Sequence, residues 1–121
     1  MLFRSAAVAA RTVNSGQSCI AAKRFIIEAP HYERFIAGMR DRLAACRFGD
    51  PMDAACQVGP LARTDLMHEL HAQVEASVRE GARLILGGTL PEGPGAFYPP
   101  TLLADCTPEV TAFREIGRAH V

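Results

Sequence analysis

The sequence predicts an α/β fold, because segments with helical spacing alternate with short apolar runs. Apolar residues recur at three- and four-residue steps over 32–46 and again over 66–78, so each segment has one face to bury. Short apolar runs at 25–27 and 83–86 have the length of buried strands. Elements that alternate in this way are typical of a layered α/β domain.

The first helix is predicted over 6–13, with the Ser5 hydroxyl as its N-cap. The turn at 14–16 ends that helix, and Gly16 allows backbone angles that a side chain would forbid. A short second helix is expected over 20–24. Cys19 would then lie at its first turn, where unpaired N–H groups and the positive end of the macrodipole lower a thiol pKa.

A strand is predicted at 25–27, and Pro30 is expected to open the next helix. Turn and loop signals, Gly49-Asp50-Pro51 and Gly59-Pro60, fill the segment 47–63. The helix that Pro30 opens has a predicted buried face, which comprises Tyr32, Phe35, Ile36, Met39, Leu43 and Cys46.

Another helix is predicted from Thr64 or Asp65 to Glu80, and Gly81 supplies its C-terminal stop. A strand at 83–86 and an extended segment at 98–103 follow, the latter kept at a sheet edge by its prolines. The predicted inner face of the helix comprises Leu66, Leu70, Val74 and Val78.

Composition indicates a globular domain and excludes two classes of partner. The 121 residues are 49% hydrophobic, and 13 basic side chains balance 13 acidic ones. There is no basic run or basic patch interleaved with aromatic residues, so we expect no nucleic-acid partner. Nor is any apolar run long enough to cross a bilayer, so we expect no membrane association.

The four cysteines are far apart and form no Cys-x-x-Cys pair, which favours a reducing, cytoplasmic compartment over a disulfide framework. Cys46 and Cys56 are interpreted as structural, and Cys106 has no basic neighbour to activate it. His68 and His71 are three residues apart with no third ligand nearby, so they are assigned to a solvated helix face and no metal site is predicted.

The segment 14–19, Asn-Ser-Gly-Gln-Ser-Cys, resembles the active-site segment of the aldehyde dehydrogenase superfamily, whose nucleophile lies in an Asn-x-Gly-Gln-x-Cys pattern. Asn14, Gly16, Gln17 and Cys19 match that pattern position for position. Further segments match in the same order and spacing, at 23–27, 48–51, 59–60, 81–83, 87–88, 98–101 and 111–115.

This resemblance implies part of an aldehyde dehydrogenase catalytic domain spanning 1–121, with the dinucleotide-binding domain absent. It also implies oxidation of an aldehyde with NAD or NADP, in which the Cys19 thiolate attacks the aldehyde carbon to form a thiohemiacetal and then a thioester. Asn14, Gly16 and Gln17 would support the active-site loop, with Asn14 as a turn-former. Glu115 is the candidate for the glutamate that grips the nicotinamide ribose.

Within the superfamily, the residues at 59–63, 65–66 and 69–71 most resemble bacterial succinate-semialdehyde dehydrogenases. Val13 stands where some relatives carry an Arg, so no residue is assigned to the substrate's acid end. The family's general-base glutamate lies in a Glu-Leu-Gly-Gly context that this sequence lacks. We therefore expect the isolated chain to be inactive and a full-length parent to be a homo-oligomer.

Residues 1–5 and 116–121 are predicted to be foreign to the natural protein and to have no packing role. Three other functions stay open: a dehydrogenase for another aldehyde, a non-catalytic interaction domain derived from a dehydrogenase, and a cysteine hydrolase. In the hydrolase, Cys19 would need a histidine base, for which the sequence offers His31, His68, His71 and His120.

Overall fold

The computed structural model describes residues 2–115, with only the backbone described for Leu2. Its elements combine helices with a small sheet, so the α/β prediction is confirmed. The helices are α1 (Leu2–Thr12), α2 (Tyr32–Ala44), α3 (Thr64–Arg79) and α4 (Thr111–Arg114), the strands are β1 (Arg83–Leu86) and β2 (Leu102–Ala104), and short 3-10 turns occupy Val13–Gly16 and Ala29–His31.

Strands β1 and β2 pair antiparallel, with Arg83 opposite Ala104 and Leu84 opposite Leu103. The register shifts between Leu84 and Leu86, as expected of a bulge. The predicted strand at 83–86 is confirmed, whereas the pairing part of the predicted edge segment is limited to its last residues and Ala104.

One core lies between α1 and α2. Ala7 and Val8 of α1 pack on Phe35, Met39 and Leu43 of α2. These three α2 residues belong to the predicted buried face, because a three- and four-residue spacing brings them to one side of the helix. Tyr32, also assigned to that face, is only half-buried. Its hydroxyl donates to Asp105 Oδ1 at 2.9 Å.

A second core lies against α3, where the buried residues Met67 and Val74 pack with Ala96 and Tyr98. The predicted inner face of α3 is partly wrong, because Val78 is 40% exposed. Ser77 is buried in its place. Its hydroxyl donates to Gln73 O at 2.7 Å and accepts from Ala112 N at 2.8 Å, which turns this side of the helix toward α4.

Helix α1 begins at Leu2, so the prediction that Ser5 caps its start is wrong. Ser5 lies inside the helix and its hydroxyl accepts from Arg42 Nε at 2.9 Å. The Phe3 and Phe35 rings are 5.7 Å apart, and Arg4 Nη1 donates to Arg34 O at 3.2 Å. The expectation that residues 1–5 do not pack is therefore wrong for 3–5, while 116–121 lie outside the described residues.

The predicted strand at 25–27 is also wrong, because these residues belong to no strand of the described part. Phe25 and Ile27 pack against the α1–α2 core, and Ile26 between them is 92% exposed. The segment keeps the alternation of a strand without a ladder partner among residues 2–115. Over the same range, no helix combines the length and apolar character that crossing a bilayer requires.

Candidate active site

The candidate site is built around a tight turn that precedes Cys19. Asn14, Ser15 and Gly16 have φ values of 48°, 57° and 78°, so three successive residues are left-handed. Asn and Gly adopt this conformation most readily. A Cβ at Gly16 would lie 3.0 Å from Arg11 Nη2, a tight contact that a small shift of the Arg side chain can relieve, so the φ of 78° is the main reason for glycine here.

No helix follows Cys19, and the prediction of one over 20–24 is wrong. Ala21 N donates to Ser18 O at 3.0 Å, and Ala22 N donates to Ala10 O at 3.0 Å. The second bond joins the segment after Cys19 to α1. The Ala22 N–H is therefore used in a tertiary contact and not in a helical hydrogen bond. Cys19 is exposed on this turn. A helix macrodipole therefore does not contribute to the chemistry of its thiol.

Two side chains of the turn bind a distant loop comprising Gly59, Pro60, Leu61 and Ala62, called here the 59–62 loop. Ser15 Oγ accepts from Gly59 N at 2.9 Å. Gln17 Oε1 accepts from Ala62 N at 2.9 Å, and its Nε2 donates to Pro60 O at 3.5 Å. The turn and the loop are therefore joined by side-chain contacts to main-chain groups at both ends of the loop.

Arg24, five residues after the cysteine, reaches the last described residues of the chain. Its Nε donates to Phe113 O at 2.6 Å and its Nη2 to Glu115 O at 3.2 Å. The guanidinium also lies 5.4 Å from the centroid of the Phe113 ring. The structure thus brings the main chain of Glu115 to the segment that follows Cys19, while the Glu115 side chain is exposed.

A cavity of about 520 Å³ adjoins the turn. Ser15, Gly16 and Gln17 line it on one side, and Arg24 and Phe113 also contribute to its walls. Cys19 is outside this lining and is exposed instead. Much of the remaining wall comes from the two apolar cores, and Arg11, Lys23 and Arg24 add basic side chains to the lining.

The other three thiols differ from Cys19 in their surroundings. Cys46 Sγ donates to Arg42 O at 3.4 Å, and burial raises the pKa of this thiol. Burial, together with the Asp105 carboxylate, raises the pKa of the Cys106 thiol. Cys56 Sγ lies 3.8 Å from Asp53 Oδ2. Their contacts agree with the structural interpretation of Cys46 and Cys56.

His71 departs from the predicted solvated face. Its Nδ1 lies 2.9 Å from the Tyr98 hydroxyl, and its Nε2 lies 3.5 Å from Glu75 Oε1. Burial, with Glu75 nearby, raises the pKa of Tyr98 to about 12, so the phenol stays protonated at neutral pH. His68 is exposed as expected. Within residues 2–115 no three His, Cys, Asp or Glu residues are grouped to hold a metal.

The glycine pair at 87–88 is a packing feature. A Cβ at Gly87 would collide with Pro100 O and with Thr101, and one at Gly88 would lie 2.9 Å from Leu84 Cδ1. Gly88 N donates to Thr101 Oγ1 at 3.1 Å, so this amide is already used. The pair therefore serves the contact between β1 and the segment before β2.

For a nicotinamide cofactor, the family resemblance offers one candidate contact among the described residues, Glu115. The exposed Glu115 carboxylate could accept hydrogen bonds from ribose hydroxyls. A diphosphate binds well at a glycine-rich loop that opens a helix. Helix α2 instead follows Ala29–His31, and α3 follows Arg63, so neither offers that arrangement in the described chain.

Comparison with known proteins assigns the chain to a family. The sequence profile of the aldehyde dehydrogenase family matches residues 2–116. The chain belongs to this family. Its predicted motif at 14–19 therefore lies in a true family member, although the individual roles of the motif residues stay predictions.

The chain is similar to named dehydrogenases in both sequence and structure. It is 54% identical over 114 residues to a succinate semialdehyde dehydrogenase of Escherichia coli (strain K12), covering 91% of this chain and 24% of that protein. With the NADP(+) succinate-semialdehyde dehydrogenase of Mycobacterium avium (strain 104) it shares 45% over 109 residues, which is 90% of this chain and 23% of the relative.

Two crystal structures have the same fold over nearly the whole chain. The lactaldehyde dehydrogenase of Escherichia coli superposes with a TM-score of 0.90 at 34% identity, covering 98% of this chain and 25% of its own. The aldehyde dehydrogenase of Mycobacterium tuberculosis complexed with NAD+ gives 0.86 at 30% identity, covering 95% and 24%. The chain therefore spans about a quarter of the length of the relatives it matches.

Asn14, Gly16 and Gln17 lie in the turn that immediately precedes Cys19. Sequence reasoning missed Ser15, whose hydroxyl anchors the turn. It also missed the tie from Arg24 to Phe113 and Glu115. Ser15 and Gly59 are 44 positions apart, and Arg24 and Phe113 are 89 positions apart. A single sequence holds no signal for contacts over such separations.

Proposed function

We propose that this chain is part of an NAD- or NADP-dependent dehydrogenase that oxidises succinate semialdehyde to the carboxylic acid. The observation that carries the proposal is its 54% identity to the Escherichia coli succinate semialdehyde dehydrogenase over 114 residues. Two further points support it. Cys19 is the cysteine of the segment that resembles the family's nucleophile motif, in a chain that the family profile matches over 2–116, and the turn leaves this residue exposed.

In the proposed mechanism, the Cys19 thiolate adds to the aldehyde carbon and gives a thiohemiacetal. The Cys19 backbone N–H is the oxyanion donor that this segment can supply. The cofactor, when bound, supplies the hydride acceptor. Loss of hydride from the former aldehyde carbon leaves a thioester on Cys19, and water then releases the carboxylic acid and returns the thiol. The exposed Glu115 carboxylate is the proposed contact to the nicotinamide ribose.

We further propose that the parent protein is a cytoplasmic homo-oligomer. All four cysteines, each within the described residues, are thiols, as expected in a reducing compartment. The substrate's acid end has no assigned partner, because Val13 stands where some relatives carry an Arg. We therefore expect the residues that recognise the substrate carboxylate to come from other parts of a full-length protein.

A chimera tests this proposal. The 114 matched residues of the Escherichia coli enzyme are replaced by those of this chain, and NAD(P)H absorbance is followed with succinate semialdehyde and with butanal. We expect turnover with a preference for succinate semialdehyde. Cys19→Ala should lower kcat by at least about 10³-fold, whereas Cys56→Ala should have little effect.

The outcomes separate the alternatives. A folded chimera that keeps its turnover in the Cys19→Ala form would show that Cys19 is not the nucleophile. Equal turnover of the two aldehydes would point to a dehydrogenase for another substrate. A folded, inactive chimera would favour the non-catalytic interaction domain.

A further inference from the structure

We propose that the 59–62 loop is a positioning element for Cys19, acting through Ser15 and Gln17 as positioning residues. The proposal rests on the proposed function, in which Cys19 is the nucleophile. Family resemblance had linked Asn14, Gly16 and Gln17 to the active-site loop, but it assigned no part to Ser15 and none to a loop more than forty residues away.

The contact pattern is the first argument. Gly59 N and Ala62 N, at opposite ends of the loop, donate to Ser15 Oγ and to Gln17 Oε1, each at 2.9 Å. Gln17 Nε2 also donates to Pro60 O at 3.5 Å, so both the nitrogen and the oxygen of its side-chain amide bind the loop. Bonds from two alternate residues to two ends of a loop oppose rotation as well as translation of the turn.

The conformation of the turn is the second argument. Ser15 has a φ of 57°, which side-chain-bearing residues rarely adopt unless the surroundings hold them there. Its hydroxyl is bound to the 59–62 loop, and Gln17 N donates to Asn14 O at 3.1 Å to close the turn. Without the loop, the left-handed run before Cys19 would lose its external support and sample other backbone angles.

The stiffness of the loop is the third argument. Leu61 N donates to Ala96 O at 2.8 Å, and the Leu61 side chain packs against the α3 core of Met67 and Val74. On the other side, Val58 is buried and its carbonyl accepts from Gly49 N at 3.0 Å. The loop is therefore fixed to a packed core, and it transmits that rigidity to the turn.

Correct placement of a nucleophile matters strongly for rate, since a misplacement of about 1 Å can cost about 10²-fold. A loosened turn should therefore lower kcat while leaving the binding of cofactor and substrate largely intact. The functional consequence is that residues far from the aldehyde, in a loop without a catalytic group, help to set the rate of the chemical step.

The first experiment measures amide hydrogen exchange in the 121-residue chain. Gln17→Ala should speed exchange at Ala62, and Ser15→Ala should speed exchange at Gly59 and at Gln17, each by about tenfold. The matched control is Gln57→Ala. Gln57 Oε1 also accepts a backbone N–H, from Arg47 at 2.8 Å, but in a contact that does not involve the turn.

The second experiment measures kcat and KM in the chimera described above. Ser15→Ala combined with Gln17→Ala should lower kcat by about 10- to 100-fold with KM within about twofold. Gln17→Glu should retain more activity than Gln17→Ala, because its carboxylate still accepts from Ala62 N. Gln57→Ala should leave kcat within about twofold, and a thermal melt on each variant confirms that it is folded.

The proposal is wrong if the double variant, folded and with faster exchange at Gly59 and Ala62, keeps its kcat. It is also wrong if Gln57→Ala lowers kcat as much as Gln17→Ala does, because the effect would then be general destabilisation. If the proposed function itself is wrong, the chimera would be inactive before any change to Ser15 or Gln17. The exchange experiment would still report on the hydrogen bonds between the turn and the 59–62 loop.

Discussion

The four thiols differ in exposure, and two of them have a raised pKa. Cys19 is exposed, whereas burial raises the pKa of Cys46 and of Cys106. A raised thiol pKa leaves less thiolate at a given pH, and the thiolate is the form that reacts.

Cys19 is therefore expected to be the first of the four to be alkylated. Limiting iodoacetamide at neutral pH followed by peptide mapping should find most of the label on the peptide that contains Cys19. Raising the pH should increase labelling of Cys46 and Cys106 more than that of an unburied reference thiol in glutathione. Preferential labelling of Cys46 at neutral pH would contradict this order.

Ser77 is the buried polar residue whose loss should be most costly. Ser77→Ala leaves Ala112 N and Gln73 O without the hydroxyl that now lies 2.8 Å and 2.7 Å from them. The expected loss in the free energy of unfolding is about 1–3 kcal/mol, the usual cost of an unsatisfied buried group. Urea denaturation measures it.

The control for this change is Ser5→Ala, an equal truncation at an exposed hydroxyl. It should change the free energy of unfolding by no more than about 0.5 kcal/mol. Equal losses from the two variants would show that the joint between α3 and α4 does not depend on Ser77.

At the scale of elements, the joint between α3 and α4 also depends on a charge. The Glu80 carboxylate accepts from Thr111 N at 2.6 Å and from Thr111 Oγ1 at 2.9 Å, at the start of α4. These two bonds hold the pKa of Glu80 below its ordinary value of 4.5, and the bond from Thr111 N has the larger effect. The carboxylate therefore binds Thr111 more strongly than the protonated acid does.

A carboxyl with a lowered folded-state pKa contributes stability above its unfolded pKa and loses it as the pH falls through the folded value. Glu80→Gln should thus lower Tm by about 2–4 °C at pH 7, and the difference from the unsubstituted chain should shrink as the pH falls below 4.5. Glu92→Gln, at an exposed loop position, is the control. A difference in Tm that is constant from pH 7 to pH 3 would contradict the role of the charge.

The long helices α2 and α3 could be predicted from the sequence because each repeats its apolar residues over several turns. The segment 20–24 misled the prediction, since its alanines favour helix while Ala22 N is bound to Ala10 O and Arg24 to Phe113 O. These bonds join parts of the chain that are distant in sequence, and helix propensity depends only on the local sequence. The family motif at 14–19 located the turn, but the loop that holds it could only be seen in three dimensions.

At the scale of the whole molecule, we expect the 121-residue chain to oxidise no aldehyde by itself. The family resemblance gives Glu115 as the one candidate contact to a nicotinamide cofactor among the described residues, and the Glu-Leu-Gly-Gly context of the family's general base does not occur in the sequence. Loss of a general base typically removes about 10²–10⁴-fold of rate.

The measurement is NAD(P)H absorbance with succinate semialdehyde and simple aliphatic aldehydes. The matched control is the Cys19→Ala form of the same chain. Turnover that disappears in that control would show that the chain is active without further segments.

Several large apolar side chains of the described residues are mostly exposed to water. Ile20 is 78% exposed, Ile26 92% and Met52 89%. Where such side chains form a continuous patch, they are typical of surfaces that another part of a protein covers. We expect the isolated chain to associate, and Ile20→Thr with Ile26→Thr should lower the apparent mass in sedimentation velocity. An unchanged mass would place the association elsewhere on the surface.

The tie from Arg24 to Phe113 has a consequence for synthesis on the ribosome, since its partners are 89 positions apart in the chain. At about 5–20 residues per second, Phe113 is made roughly 5 to 20 seconds after Arg24. During that interval the segment after Cys19 can form the bond from Ala22 N to Ala10 O in α1, but not the bond from Arg24 to Phe113. The segment after Cys19 therefore gains this bond only after the 89 later residues have been made.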